Sequence, residues 1–474
     1  MDVVSLYLIA TAAVLLLGVL GEVVFHRTGI PQPLWLIACG LLLGPVLGVA
    51  PREQMAQLAP YVALPALVMV ITELGGRLRF ESVARGLSRT GPLAGLSFVG
   101  SVLIVTLVSL LAQLTGLLPD DWGWSQSLLL GLTLGAACSL ITTPAMLRSR
   151  LAPHIVQSLE LESALTGAAS VVAVALFVAV LDPDAAGFVE SLVNLLIAMS
   201  LGLGLGLLGA ALWFGFLFAL QAPSYGYTAT LAALLVLYAV TEQLGGSGPL
   251  AVLTSAVLLA NAPSIGKRLR IRRPVEIGKD ARGYRRLLMF VVRSSFFLYV
   301  GLLLGPPWGL VGFGVLIALL LFPARLPAVL VATKWGGWSP DTRPLSAISM
   351  PRGMLAGVLA LLPLQAAIGG AAAFPLTVFS VVVVTSTVYA VGFPFVRRKL
   401  PAADIVAFDV DEELGASPVS LVTPDETSRR ALMPSSTDEV VPPTSRSPHP
   451  SSANEGQLGP LPPPTPPPRR DSKT

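Results

Sequence analysis

The 474-residue chain is 54% hydrophobic and only 12% charged, with a mean hydropathy of +0.75 and a net charge of +4. A soluble protein of this length carries roughly twice that share of charge, which excludes an ordinary soluble enzyme and leaves a polytopic membrane protein. The charge is also divided: residues 1–400 hold 25 Lys/Arg against 16 Asp/Glu, whereas 401–474 hold 6 against 11, so two chemically different segments meet near position 400.

A bilayer core takes about 20 apolar residues per helix. Thirteen runs qualify, at approximately 3–25, 33–50, 57–76, 92–115, 125–147, 155–181, 189–220, 225–243, 247–263, 287–304, 310–333, 343–364 and 372–394. The predicted fold class is therefore an all-α polytopic membrane protein. The first run follows Asp2 with no basic region and ends in HRTGIP, which reads as a membrane helix and not as a removable signal. Basic residues gather after the odd-numbered spans: Arg27; Arg77, Arg79, Arg85 and Arg89; Arg148 and Arg150; the dense set from Lys267 to Arg286; and Arg397 to Lys399. The intervening loops hold Arg52 and the acids Asp120, Asp121, Asp182 and Asp184. Lys and Arg collect in cytoplasmic loops, so the predicted topology is a multi-pass plasma-membrane protein with its N-terminus outside and its C-terminus in the cytoplasm.

A charge deep in a membrane helix costs on the order of 2.5 to more than 10 kcal/mol, and the deep ones here are Glu73, Glu162, Arg293, Arg325 and Arg352. Glu73 lies in TELGG at the end of span three. Span five carries Ser139, Thr142 and Thr143 at helical spacing, followed by Pro144, whose missing N–H weakens the ladder behind it. Freed carbonyls and hydroxyls in that arrangement form an oxygen-lined site able to replace part of a cation's hydration shell. The bland alternative is a hydroxyl-lined helix contact with a proline kink. In span six Glu162, Thr166 and Ser170 share a face, while Glu160 points elsewhere, toward the cytoplasmic interface.

A buried glutamate survives most cheaply beside a buried arginine. Arg352, set in the Pro-Arg-Gly break of MPRGM, is the expected partner of Glu162 in a structural ion pair; Arg293 and Arg325 are read as snorkelling to the interface.

Other features carry less. Gly204, Gly206 and Gly209 fit G-x-G-x-x-G but lie inside an apolar helix, where they read as close helix packing and not as a nucleotide site. No G-x-x-x-x-G-K-[ST] is present, which argues against an ATP-driven pump. The basic segment 267–286 lies between two spans and reads as a topological determinant or anionic-lipid contact, not as a nucleic-acid site. Cys39 and Cys138 sit in apolar runs, and His26, His154 and His449 are scattered, so no cofactor, bound metal or catalytic constellation is expected. Residues 1–399 form the transmembrane domain. The Pro/Ser-rich segment 400–474, with 15 prolines, is expected to be a disordered cytoplasmic tail whose partner the residues do not name.

Several of these stretches together resemble the monovalent cation:proton antiporter superfamily, sodium/proton exchanger type, from about residue 10 to 395. GEVVFHRTGIPQPLWLIACGLLLGP resembles its opening pattern, TELGGRLRF its FEGGL-type helix end, EQLGGSGPLAVLTSAVLLAN its HGSGxLAVxxAGLxLGN stretch, and MPRGMLAGVLALL its PRGxVxxALA helix. The resemblance implies inverted repeats, discontinuous helices crossing at the ion site, and a homodimer. It places Glu162 at the glutamate of ESLLND, Arg352 at the PRG arginine that would pair with it, and Glu73 at the acid of the third-helix motif. The chain departs from the family in two places: Thr142-Thr143-Pro144 stands where the family reads TDP, and Thr166-Gly167 replaces the Asn-Asp or Asp-Asp pair.

Antiport needs one group that holds either a proton or a cation. With Glu162 tied to an arginine, Glu73 is the expected exchanging carboxylate, and Ser139, Thr142, Thr143 and Thr166 the neutral oxygens. One negative charge trading a sodium or potassium ion for one proton implies electroneutral exchange. Two alternatives stay open: a non-coupling family member acting as sensor or scaffold, and a transporter of a different ion.

Overall fold

A computed structural model describes residues 3–48, 58–181, 187–220, 226–268, 279–335, 338 and 340–401. The chain divides into a unit of residues 1–421 and one of 422–474, and everything below concerns the first. The tail expected from residue 400 lies outside the described residues, apart from its first two positions. Residues 269–278 of the basic segment do so as well.

Among the described residues the secondary structure is entirely helical: α1 Val3–Thr28, α2 Gln32–Leu41 continued by a π turn Leu42–Val46, α3 Ala59–Arg77, α4 Phe80–Gln113, α5 Trp124–Thr133, α6 Ser139–Arg148, α7 Pro153–Val180, α8 Phe188–Leu220, α9 Gly226–Gln243, α10 Gly248–Ala260, α11 Ala262–Arg268, α12 Lys279–Leu303, α13 Trp308–Trp335, α14 Arg343–Ile348, α15 Met354–Leu359, α16 Leu362–Gln365 and α17 Ala373–Arg397. Among the described residues each of the thirteen apolar runs falls on one or more helices, and among those residues seven helices are long and apolar enough to cross a membrane by length and composition. The run 125–147 is divided into α5 and α6, the run 343–364 into α14, α15 and α16, and α10 has 13 residues, about 20 Å, too short to cross alone.

Two boundaries differ from the sequence reading for physical reasons. Helix α4 begins at Phe80, twelve residues before the apolar run, because a helix needs no apolar side chains in its first turns where these are exposed and charged. The fifth span breaks at 134–138, ahead of Pro144, which sits inside α6. The small residues Gly135-Ala136-Ala137 let that backbone unwind against its neighbours.

Loops that the basic residues grouped together touch one another. Arg148, ending α6, donates to the carbonyl of Phe25 at 2.6 Å and to that of His26, closing the C-terminus of α1. Asn261, after α10, accepts from the Phe80 N–H at 2.7 Å and donates to the Leu78 carbonyl at 3.0 Å. On the other side Gln126 donates to the Gly369 carbonyl at 3.1 Å.

Lipid is as apolar as leucine, so packing and polar contacts hold such helices together. Leu67, Phe296, Phe374 and Phe379 fill the core, while Leu103, Leu107, Leu196, Leu207 and Leu212 face outward where acyl chains would cover them. At the α2–α12 contact two glycines meet. A Cβ on Gly40 would overlap the Leu298 carbonyl, and one on Gly301 would overlap that of Ile37.

Candidate functional site

The two interrupted helices meet at their breaks. Cys138 N–H donates to the Pro351 carbonyl at 3.0 Å, and Gly353 lies so close to Cys138 that a Cβ there would overlap its Sγ. Backbone groups freed by an interruption inside a membrane must be satisfied by protein, and α7 provides the partners. Ser163 Oγ accepts from Ser139 N–H and donates to the Ala137 carbonyl, both at 3.0 Å. Thr166 Oγ1 accepts from Ala137 N–H at 3.3 Å and donates to the Glu162 carbonyl at 2.9 Å. Ser170 Oγ donates to the Leu132 carbonyl at 2.8 Å.

Glu162 is paired with Arg325 and not with Arg352. The contact is bidentate, Nη1 to Oε1 at 2.5 Å and Nη2 to Oε2 at 2.7 Å. Arg325, read from the sequence as snorkelling, is instead buried with Glu162 inside the protein. Its other donors go to the Ser346 carbonyl and to Ser97 Oγ, each at 2.8 Å. Arg352 serves the crossing: Nη1 donates to the Gly135 carbonyl at 3.0 Å, Nη2 to Ser101 Oγ at 2.7 Å, and its own N–H to Thr385 Oγ1 at 3.0 Å.

Glu73 reaches a small, partly open recess beside the crossing, lined in part by Arg77, Ala137, Cys138, Ser139 and Ser163. Both its oxygens face arginines: Oε1 lies 3.5 Å from Arg77 Nη2, and Oε2 3.3 Å from Arg285 Nη1 on α12. Arg77 Nη1 also donates to Ser139 Oγ. Glu160 is half-buried and faces α6. It accepts from Thr143 Oγ1 at 2.9 Å and interacts electrostatically with Arg77. A carboxylate thus arrives, from α7, at the threonine that stands where TDP would have its aspartate.

Of the expected residues the recess brings together Glu73 and Ser139. Thr142, Thr143 and Thr166 do not line it. Thr142 Oγ1 lies 3.4 Å from the Ser139 carbonyl, and its own carbonyl accepts from Tyr389 at 3.2 Å; Thr143 holds Glu160 and Thr166 supports the break. Sequence reasoning missed Arg77, Glu160, Arg285 and Arg325 as members of this polar network. The signals were the i,i+4 spacing of Glu73 and Arg77 and the placing of Arg325 deep in an apolar run. The other position lacking a family carboxylate, Gly167, is closed: a Cβ there would come 2.8 Å from Leu74 Cδ1 and 3.2 Å from Leu355 Cδ2.

Comparison with known proteins gives a consistent result. The sodium/hydrogen exchanger transmembrane family model matches residues 11–397. The K(+)/H(+) antiporter NhaP2 of Shewanella sp. strain MR-4 is 25% identical over 392 residues, 81% of this chain and 65% of that protein; the strain ANA-3 protein is 26% identical over the same length. The chain therefore spans about 65% of the length of these curated relatives. The sodium proton antiporter MjNhaP1 from Methanocaldococcus jannaschii at pH 8 superposes with a TM-score of 0.68 at 18% identity, covering 82% of this chain and all of that one.

Proposed function

The chain belongs to the sodium/hydrogen exchanger family, and from that premise we propose that it exchanges a monovalent cation, sodium or potassium, for protons, with Glu73 as the exchanging carboxylate. One observation carries the choice of residue: Glu73 lines a recess beside the helix crossing with Ser139 and meets its arginines only at 3.3 and 3.5 Å, whereas Glu162 is neutralised by a tight bidentate arginine. A carboxylate in a low-dielectric site is neutralised by either a proton or a cation, so the two compete for it. In this reading Ser139 Oγ and the unwound backbone at 134–138 supply neutral oxygens. Thr142, Thr143 and Thr166 contribute by shaping the crossing. Glu162 with Arg325 is a structural pair that carries no ion.

A single carboxylate trading one cation for one proton moves no net charge. The protein works in the plasma membrane, surrounded by lipid, with its N-terminus outside and the tail in the cytoplasm, and it assembles as a homodimer. The test is the purified chain in liposomes. An inward sodium or potassium gradient should drive protons out and make the lumen alkaline, at a rate that an imposed membrane potential leaves unchanged. A rate that follows the potential would contradict one-for-one exchange.

A second reading, a family member without coupling that serves as sensor or scaffold, is favoured by the leucine-filled position of Gly167. It predicts no proton movement with either cation.

A further inference from the structure

Arg77 holds the oxygens that the proposed site would offer a cation. It is the last residue of α3, its side chain is 11% exposed, and its guanidinium faces the recess. One nitrogen donates to Ser139 Oγ and another lies 3.5 Å from Glu73 Oε1. Glu160, anchored by Thr143, is near enough to interact with it electrostatically. These are two acids and a hydroxyl gathered around one positive charge. Arg285 approaches Glu73 from the opposite oxygen, so two arginines balance two carboxylates.

The hold on Arg77 is incomplete. Its Nε is buried with no protein partner, and the contact with Glu73 is long for a charge-assisted hydrogen bond, which is shorter than 3 Å when well made. The side chain leaves a helix end just after Gly75-Gly76, where the backbone turns out of the helical region at Leu78. A long, flexible stem at such a position can withdraw its head group without moving the helix.

We propose that Arg77 is a tethered competitor for the transported cation: in the empty recess its guanidinium occupies the Ser139 and Glu73 oxygens, and it withdraws when a sodium or potassium ion takes them. This rests on the proposed function of the recess. The competitor keeps two carboxylates compensated while no ion is bound. It also lowers the apparent affinity for the cation, because each ion that enters must displace a charge already in place.

The test is equilibrium binding of sodium and potassium to the purified full chain, alongside exchange in liposomes. Arg77→Ala should bind the cation at least about tenfold more tightly than wild type, since the displaced partner is a charge-assisted hydrogen bond. Arg77→Gln keeps a neutral donor for Ser139 and should show the same direction if the alanine variant folds poorly. Arg77→Lys should stay near wild type. Free guanidinium ion should refill the vacated place and compete with the cation in Arg77→Ala, but not in wild type at the same concentration. A purely structural arginine would give stabilisation by guanidinium without competition. Unchanged or weaker cation binding in both neutral variants overturns the proposal. If wild type exchanges nothing while Arg77→Ala still binds cation more tightly, the competitor stands and the exchange reading falls. If wild type exchanges and neither variant binds more tightly, the reverse holds. If no cation binds to any form, both are overturned.

Discussion

Glu73 and Glu162 carry the same functional group and end in opposite situations. Glu162 is locked: both oxygens meet Arg325 within 2.7 Å, and the guanidinium is further bonded to Ser97 and Ser346. Removing one member strands the other at a cost of ~3–5 kcal/mol. Glu162→Gln should therefore lower the melting temperature in detergent sharply. A double-mutant cycle should show strong coupling of Glu162 with Arg325 and almost none with Arg352; the opposite ranking would refute the pairing. Glu73, held by contacts of 3.3 and 3.5 Å, should tolerate Gln with little loss of stability. The expense of burying charge made these acids visible in the sequence. Their partners were not, because three deep arginines carry the same charge, and the rotation and depth of α13 decide which one meets α7. The partner of Glu160 was hidden for a related reason: at i,i+2 from Glu162 it does face another direction, and α6 packs on that side of α7.

Interrupted helices are the elements that build the site, and each break depends on its neighbour. The Pro-Arg-Gly break at 351–353 could be read directly, since proline and glycine interrupt a helix. The break at 134–138 could not be placed, because Pro144 drew attention downstream while the unwinding depends on tertiary partners: Ser163, Thr166 and Pro351. Gly353 is the tightest joint. Its backbone is extended and strains nothing, so the requirement for glycine comes from Cys138 alone. Gly353→Ala should force the crossing apart and abolish exchange, and Cys138→Gly in the same chain should restore part of it. Failure of that rescue would show that glycine is needed for another reason. The meeting of Gly40 and Gly301 obeys the same rule. Gly301→Ala should cost about 1–3 kcal/mol or more, read as a loss of thermal stability, and this contact between α2 and α12 had no separate sign in the sequence.

At the scale of the molecule most of the fold was legible. Length and hydropathy marked thirteen helical runs. The basic residues sorted their loops into two sets, and the contacts of Arg148, Asn261 and Gln126 join loops within a set. What hydropathy could not show is which runs are continuous, because an unwound segment sealed by protein is as apolar as a helix. Orientation in the cell is testable in a chain lacking Cys39 and Cys138. An impermeant thiol reagent added outside should label Asp120→Cys and spare Arg85→Cys, and the reverse would invert the topology. The arrangement of charges leads to the central claim, that one carboxylate beside the crossing exchanges a proton for a cation. Its most direct measurement compares proton movement driven by a sodium or potassium gradient in liposomes holding wild type, Glu73→Asp or Glu73→Gln. The account predicts exchange by wild type, partial exchange by Glu73→Asp and none by a folded Glu73→Gln; undiminished exchange by Glu73→Gln, or no proton movement by wild type with either cation, would contradict it.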